Sequence, residues 1–173
     1  MGSSLSFRLV LGSGLAVFAS QAASAAPLVL PTNPTGTATL MKPLTLTKVR
    51  DMNFGNVATV GAGTMTINPV TGAITVTGGV SSLGGTVQTA RFAGNTPSSA
   101  VVNIKVPNTN VTLTRVGGTQ TLIASNFTLD GQAKRTLAQA GVFQFDVGAT
   151  INVAAGQAEG LYTGTFNVTI QYP

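Results

Sequence analysis

Hydrophobic and polar residues alternate with a period of two along much of the chain, and the last segment shows this pattern most clearly. Between Tyr162 and Tyr172 every even position except Gly164 is apolar, whereas the odd positions carry Thr, Asn or Gln. Alternation of this kind places successive side chains on opposite faces of a β-strand. The segment therefore predicts a C-terminal strand whose apolar face must be covered by another part of the protein or by a partner.

Short strands of the same kind are predicted through the rest of the chain. The clearest β-hairpin brings Met65 and Ile67 opposite Ile74 and Val76 across a turn at residues 69–72. Further alternating segments lie at residues 102–106, 111–113, 127–129, 143–147 and 151–153. The chain has 21 glycines, which suit the turns between such strands. Roughly eight to ten strands at this spacing predict an all-β fold of the β-sandwich type.

The first 25 residues have the organisation of an export signal. Arg8 precedes an apolar run at residues 9–19, and Ala23, Ser24 and Ala25 form an A-x-A cleavage site. A membrane anchor is the alternative, but the run is too short to cross about 30 Å of hydrocarbon. We therefore expect cleavage after Ala25 and export of the mature chain.

The mature chain divides into an N-terminal stretch at residues 26–47 and a β-sandwich domain at residues 48–173. Three prolines between residues 26 and 36 make that leader a poor partner for a β-ladder. Residues 37–47 have one apolar face and are the candidate donor strand. The candidate donor residues on that face are Ala38, Leu40, Leu44 and Leu46. Pro43, on the other face, cannot donate to a ladder, which is typical of an edge or added strand. The alternative is that this segment is the domain's own first strand.

Residues that carry out catalysis or bind metals are few. The chain has no histidine and no cysteine, which excludes Ser-His and Cys-His catalytic arrangements, imidazole-metal sites and disulfides. Its four acidic residues are Asp51, Asp130, Asp146 and Glu159. Asp51 and Asp130 adjoin predicted strand ends, so we interpret the four as turn and cap residues rather than as a catalytic carboxylate pair. We therefore expect no enzyme activity, no cofactor and no metal site.

The charge of the chain argues against a nucleic-acid partner. Its formal net charge is +5, from nine basic and four acidic residues. The basic residues are scattered singly or in pairs without interleaved aromatic residues, so no basic patch is predicted. The positive charge instead reflects the scarcity of acidic residues, and we expect no binding to nucleic acid.

The spacing of residues in the last strand resembles that of chaperone-usher pilus subunits. In those subunits a glycine fourteenth from the C-terminus, alternating apolar residues and a penultimate tyrosine mark the strand that borders an open groove. The matching residues here are Gly160, Tyr162, Phe166, Val168, Ile170 and Tyr172. The segment DMNFGNV, which follows a threonine-rich strand, resembles the archaic branch of these pilins. Many pilins carry a disulfide near their first strands, and this chain has no cysteine to form one.

The mature chain is also similar to a group of small exported bacterial domains of unknown function. The similarity lies in the segments PLTLTK, MNFG, RFAG and GLYTGTFNVTIQY.

The pilin resemblance implies an incomplete immunoglobulin-like β-sandwich that lacks its seventh strand and is completed by a donor strand. A periplasmic chaperone would fill the groove first, and an outer-membrane usher would then exchange it for the N-terminal segment of an identical or related subunit. The implied product is a fibre on the surface of a Gram-negative bacterium, used for adhesion or biofilm formation. The alternative is a complete, self-contained secreted β-sandwich that acts as a surface, matrix or ligand-binding domain.

Overall fold

The computed structural model of the protein describes residues 44–96, 100–137 and 141–173. In these residues all regular secondary structure is β-strand and none is helix. No helix in the described ranges therefore has the length and apolar character needed to cross a membrane. The all-β class predicted from the alternating pattern is confirmed. The predicted signal peptide and the leader, up to residue 43, lie outside the described residues and stay predictions.

Thirteen strands lie in the described part of the chain. In chain order they are β1 (Thr45–Arg50), β2 (Asn53–Phe54), β3 (Val57–Ile67), β4 (Ile74–Ser82), β5 (Val87–Gln88), β6 (Ala90–Thr96), β7 (Ala100–Lys105), β8 (Val111–Arg115), β9 (Thr121–Leu129), β10 (Lys134–Leu137), β11 (Gly141–Val153), β12 (Tyr162–Thr163) and β13 (Thr169–Gln171).

The strands form one large curled antiparallel sheet and two smaller ones. The large sheet has the order β1-β6-β11-β9-β8-β12, with β3 also paired to β11 and β4 paired to β3. A second sheet has the order β10-β7-β13, and β2 pairs with β5. Strand β11 is long enough to serve two neighbours on one side, because residues 141–147 pair with β6 and residues 150–153 pair with β3. Through this change of neighbour, β11 joins both β6 and β3 to the same sheet.

The hydrophobic core draws its side chains from both the large sheet and the three-stranded sheet. Phe145 and Val147 of β11 and Val102 and Ile104 of β7 are at most 2% exposed. Phe92 stacks on Phe145 with 5.5 Å between ring centroids. The core therefore lies between the two sheets. The finer immunoglobulin-like arrangement and its completion by a donor strand stay predictions.

The hairpin predicted from the sequence is present in the structure as β3 and β4. Met65 pairs with Val76 and Ile67 pairs with Ile74, so the predicted register is confirmed. The turn is held by Asn68, whose side-chain oxygen accepts the backbone N–H of Val70 at 2.8 Å. This Asn-led turn fixes the register of the two strands.

Candidate functional site

The C-terminal segment presents its apolar face to the core, as its alternation predicted. Its apolar residues are each partly buried and pack against the core: Tyr162, Phe166, Val168, Ile170 and Tyr172. The residues between them are exposed: Thr163, Thr165, Asn167, Thr169 and Gln171. None of the five apolar side chains is fully buried, so this face is only partly covered by the described residues.

The same segment is not one continuous strand. Its first part, β12, pairs with β8 of the large sheet, whereas its last part, β13, pairs with β7 of the three-stranded sheet. Residues 164–168 between them pair with no strand of the described part of the chain. The backbone therefore crosses from one sheet to the other and leaves an unpaired stretch in the middle.

Gly164 is placed where the crossing begins. A Cβ there would lie 2.7 Å from the backbone oxygen of Thr112 and 2.7 Å from a methyl carbon of Leu113. Any larger residue would push the segment away from β8, so the close approach requires glycine. This explains why the alternation of apolar residues is interrupted at this one position.

A groove of about 320 Å³ lies between the unpaired stretch and β1. Its lining residues are Leu46, Lys48, Asp51, Met52, Ala90, Phe92 and residues 164–168. Ala90 and Phe92 are buried and come from β6. Phe166 extends from the other side to Phe127, at 5.0 Å between ring centroids, and approaches the Phe92 ring edge-on at 6.4 Å. The groove thus has an apolar base and two walls made of chain edges.

A bulge in β1 decides which of its residues reach the groove. Lys48 pairs with Phe92 and Arg50 pairs with Arg91, so Val49 is an extra residue in the ladder. Without the bulge, Lys48 and Arg50 would share a face. With it, Lys48 lines the groove, where its ammonium lies 2.6 Å from the Asp51 carboxylate, and Arg50 turns to the opposite face.

Arg50, Arg91 and Asp146 form an ionic cluster on that opposite face. The Arg91 guanidinium donates two hydrogen bonds of 2.7 Å to the two carboxylate oxygens of Asp146, and Arg50 lies 3.8 Å from the same carboxylate. Asp130 accepts the backbone N–H of Asp146 at 3.0 Å and pairs with Arg135 at 3.1 Å. The side-chain hydrogen bonds to Asp146 and the charge of that carboxylate raise the pKa of Arg91 above its ordinary value, so this arginine stays charged through the neutral range.

The cluster corrects one interpretation of the acidic residues. Asp51 directly follows β1 and Asp130 directly follows β9, as expected of residues at strand ends. Asp146 instead lies in the middle of β11 and pairs with Arg91 across the sheet. Its position between the alternating apolar residues Phe145 and Val147 was the sequence signal that it belongs to a strand rather than a turn.

Two residues of the C-terminal pattern have local structural roles. Gly160 has a φ of 144°, and a Cβ there would lie 2.5 Å from the Arg115 Nε atom, which donates to the Glu159 carbonyl at 2.6 Å. The Tyr162 hydroxyl donates to the Ala158 carbonyl at 2.6 Å and accepts a hydrogen bond from Gln157. These contacts fix the loop that leads into β12.

The candidate donor residues are only partly in the described range. Leu44 directly precedes β1, and Leu46 lies in β1, lines the groove and is paired with β6 of the same chain. Ala38 and Leu40 lie outside the described residues. The donor role of all four stays a prediction.

The described residues contain no group of three or more acidic, histidine or cysteine side chains that could hold a metal ion.

Comparison with known proteins gives one match. Residues 44–172 match a family described as a domain of unknown function (DUF4402). No curated protein and no solved structure matches the chain. The match starts beside β1 and ends at Tyr172, so it contains every strand of the described structure. The predicted relation to domains of unknown function is confirmed, and the chain belongs to the DUF4402 family.

Proposed function

We propose that the protein is a structural pilus subunit that polymerises by donor-strand exchange into a cell-surface fibre for adhesion or biofilm formation. The observation that carries this proposal is the groove between β1 and residues 164–168, which has an apolar base and two chain edges as walls. The subunit would have the incomplete immunoglobulin-like sandwich that the sequence resemblance implies.

The backbone of both walls is suited to an added strand. β1 is the terminal strand of the large sheet and pairs with β6 alone among the described strands. Residues 164–168 also lack a partner there. Unpaired N–H and C=O groups on two facing edges accept an extended segment, and alternate side chains of that segment enter the apolar base.

The energy of filling the groove is large relative to domain stability. Each apolar side chain buried contributes about 1.5 to 3 kcal/mol, so four such residues are worth roughly 6 to 12 kcal/mol. A whole domain is stable by only about 5 to 15 kcal/mol. A partner strand would therefore decide whether the subunit is stable, which is the physical basis for a chaperone that occupies the groove before assembly.

The proposed donor is residues 37–47 of an identical or related subunit. Because Leu46 is paired with β6 of its own chain, exchange requires either that the inserted stretch ends at Leu44 or that residues 45–47 leave β6. Insertion of the donor of one subunit into the groove of the next would be a heterologous contact, and heterologous contacts that do not close grow fibres. Assembly would proceed through a periplasmic chaperone and an outer-membrane usher.

Two residues on opposite faces of the C-terminal segment test the proposal. Phe166→Asp places a carboxylate against the groove, whereas Thr169→Asp places one at an exposed position that does not line it. Because an unpaired buried charge is strongly unfavourable, Phe166→Asp should abolish chaperone capture from the periplasm and surface fibres, whereas Thr169→Asp should retain both. Pull-down of the chaperone and electron microscopy of cells are the measurements. The proposal would be contradicted if the two variants lost chaperone capture and fibres equally. It would also be contradicted if the wild-type chain stayed monomeric when produced together with its chaperone and usher.

A second candidate function is a complete secreted domain that binds a small ligand. The volume of the groove, about 320 Å³, is at the lower end of the range of about 300 to 1,000 Å³ that ligand pockets occupy. On this alternative the wild-type chain is a stable monomer, Phe166→Asp impairs ligand binding in the groove, and Thr169→Asp leaves it unchanged.

A further inference from the structure

We propose that Asp146 is a positioning residue of the groove: through Arg50 it holds β1, one wall of the groove, on the large sheet. The inference rests on the proposed function only in taking the groove as the binding site, since the contacts described below exist without a partner.

The backbone ladder of β1 is too short to hold this strand firmly by itself. It has six residues, it pairs with β6 on one side, and its ladder is interrupted at Val49. The Arg50 side chain provides a further attachment, because it binds Thr89 at the C-terminal end of β1. Its Nε donates to the Thr89 carbonyl at 3.0 Å and its Nη2 donates to the Thr89 hydroxyl at 2.7 Å.

The register across three strands places two arginines side by side. Arg50 of β1 is opposite Arg91 of β6, which in turn is opposite Asp146 of β11. Like charges directly opposite each other in a sheet are destabilising. Asp146 lies within reach of both guanidiniums, at 2.7 Å from Arg91 and 3.8 Å from Arg50, and its side chain is only 15% exposed. Its charge therefore allows β1 to pair with β6 at this position.

Loss of this charge should release the wall of the groove. Leu46 and Lys48 line the groove from the same short strand that carries Arg50. If β1 leaves β6, both residues leave the groove wall, while β3, β4 and β9 keep their own ladders. A carboxylate on one face of the sheet would thus determine whether a binding groove exists on the other.

The test is hydrogen–deuterium exchange of the full chain in three forms. Asp146→Asn removes the charge at similar volume, and Glu159→Gln makes the same change at an exposed residue away from β1. In Asp146→Asn the amides of residues 45–50 should exchange about tenfold faster, because the substitution removes the attraction between Asp146 and the two arginines. The expected factor is modest because these ion pairs are partly exposed and therefore weaker than fully buried ones. Amides of the β3–β4 hairpin should keep their wild-type rates, and Glu159→Gln should match the wild type throughout.

A double variant separates a charge effect from loss of packing. Arg50→Gln alone should also speed exchange in β1, but in Asp146→Asn it should restore part of the lost protection, because it removes one of the two facing charges. The inference is overturned if exchange in β1 of Asp146→Asn is unchanged or if every strand accelerates equally. It is also overturned if the effects of the two substitutions are additive in the double variant. If Asp146→Asn does not fold, Arg50→Lys, which keeps the charge that faces Asp146, is compared with Arg50→Gln. Slower exchange of β1 in Arg50→Lys than in Arg50→Gln supports the inference, and equal exchange overturns it. Because no partner is added, these outcomes do not depend on whether the protein polymerises.

Discussion

Replacement of Phe166 by alanine is the most direct test of where the C-terminal segment packs. The Phe166 ring is partly buried, lies 5.0 Å from the Phe127 ring and approaches Phe92 at 6.4 Å. Truncation of a fully buried phenylalanine to alanine costs about 3 to 5 kcal/mol. Since this ring is only partly covered, about half of that loss, roughly 2 kcal/mol, is expected for Phe166→Ala.

Urea unfolding of the mature chain measures this loss. The chain has two tyrosines and no tryptophan, so tyrosine fluorescence and circular dichroism both report unfolding. With a slope of about 1 to 3 kcal/mol per molar urea, a loss of roughly 2 kcal/mol lowers the midpoint by about 1 M. Thr165→Ala is the matched control, because this neighbouring side chain is exposed, and it should change stability by less than about 0.5 kcal/mol.

The comparison is decisive because the two residues are adjacent. A general loosening of the whole segment would affect both variants alike, whereas alternation requires them to differ. If the midpoints of Phe166→Ala and Thr165→Ala fall by the same amount, or if Phe166→Ala has the wild-type midpoint, the apolar face does not point to the core and the groove described here loses one wall.

Two further variants test the backbone around the same segment. Gly164→Ala should lower the free energy of unfolding by about 1 to 3 kcal/mol, because its methyl group has no room against β8. Gly131→Ala is the control in the same urea titration. It should be near neutral, because a Cβ there would make ordinary contacts at 3.6 Å or more. Tyr162→Phe should cost about 1 kcal/mol through the lost hydroxyl hydrogen bonds; a wild-type midpoint would contradict the described contact with the loop before β12.

Local patterns predicted those parts of the fold that depend on neighbouring residues. The faces of the β3–β4 hairpin follow from alternation around the predicted turn at residues 69–72, and Met65 and Ile67 lie opposite Val76 and Ile74 as expected. The buried face of the last segment follows from the same rule. In both cases the period of two fixes which side chains share a face, whatever strand lies beside them.

Pairing between distant strands could not be predicted in this way. The last segment divides its pairing between β8 and β7, and alternation is identical whether a strand has one neighbour or two. The bulge at Val49 also leaves no mark on the hydrophobic pattern, although it sends Lys48 and Arg50 to opposite faces. The alternation around Asp146 already indicated a strand rather than a turn or cap, but its pairing with Arg91, 55 residues away, could not be predicted from that local pattern.

The same limit applies to the candidate donor strand. Leu46 has the alternation of a strand residue in either interpretation, because a donor strand and the domain's own first strand present the same pattern. What differs is the chain to which the paired strand belongs, and this is a property of assembly rather than of local sequence. Only a measurement that distinguishes pairing within a chain from pairing between chains can assign residues 37–47.

The distribution of charge explains how one short strand can serve both faces of the sheet. Only 8% of the residues are charged, yet Arg50, Arg91 and Asp146 lie together on the face opposite the groove. Concentration there leaves the base of the groove apolar, which an inserted hydrophobic strand requires, and confines charge near the groove to the Lys48–Asp51 pair. The bulge at Val49 is what makes this separation possible, because a regular β1 would direct Arg50 to the groove side and leave Asp146 to balance Arg91 alone.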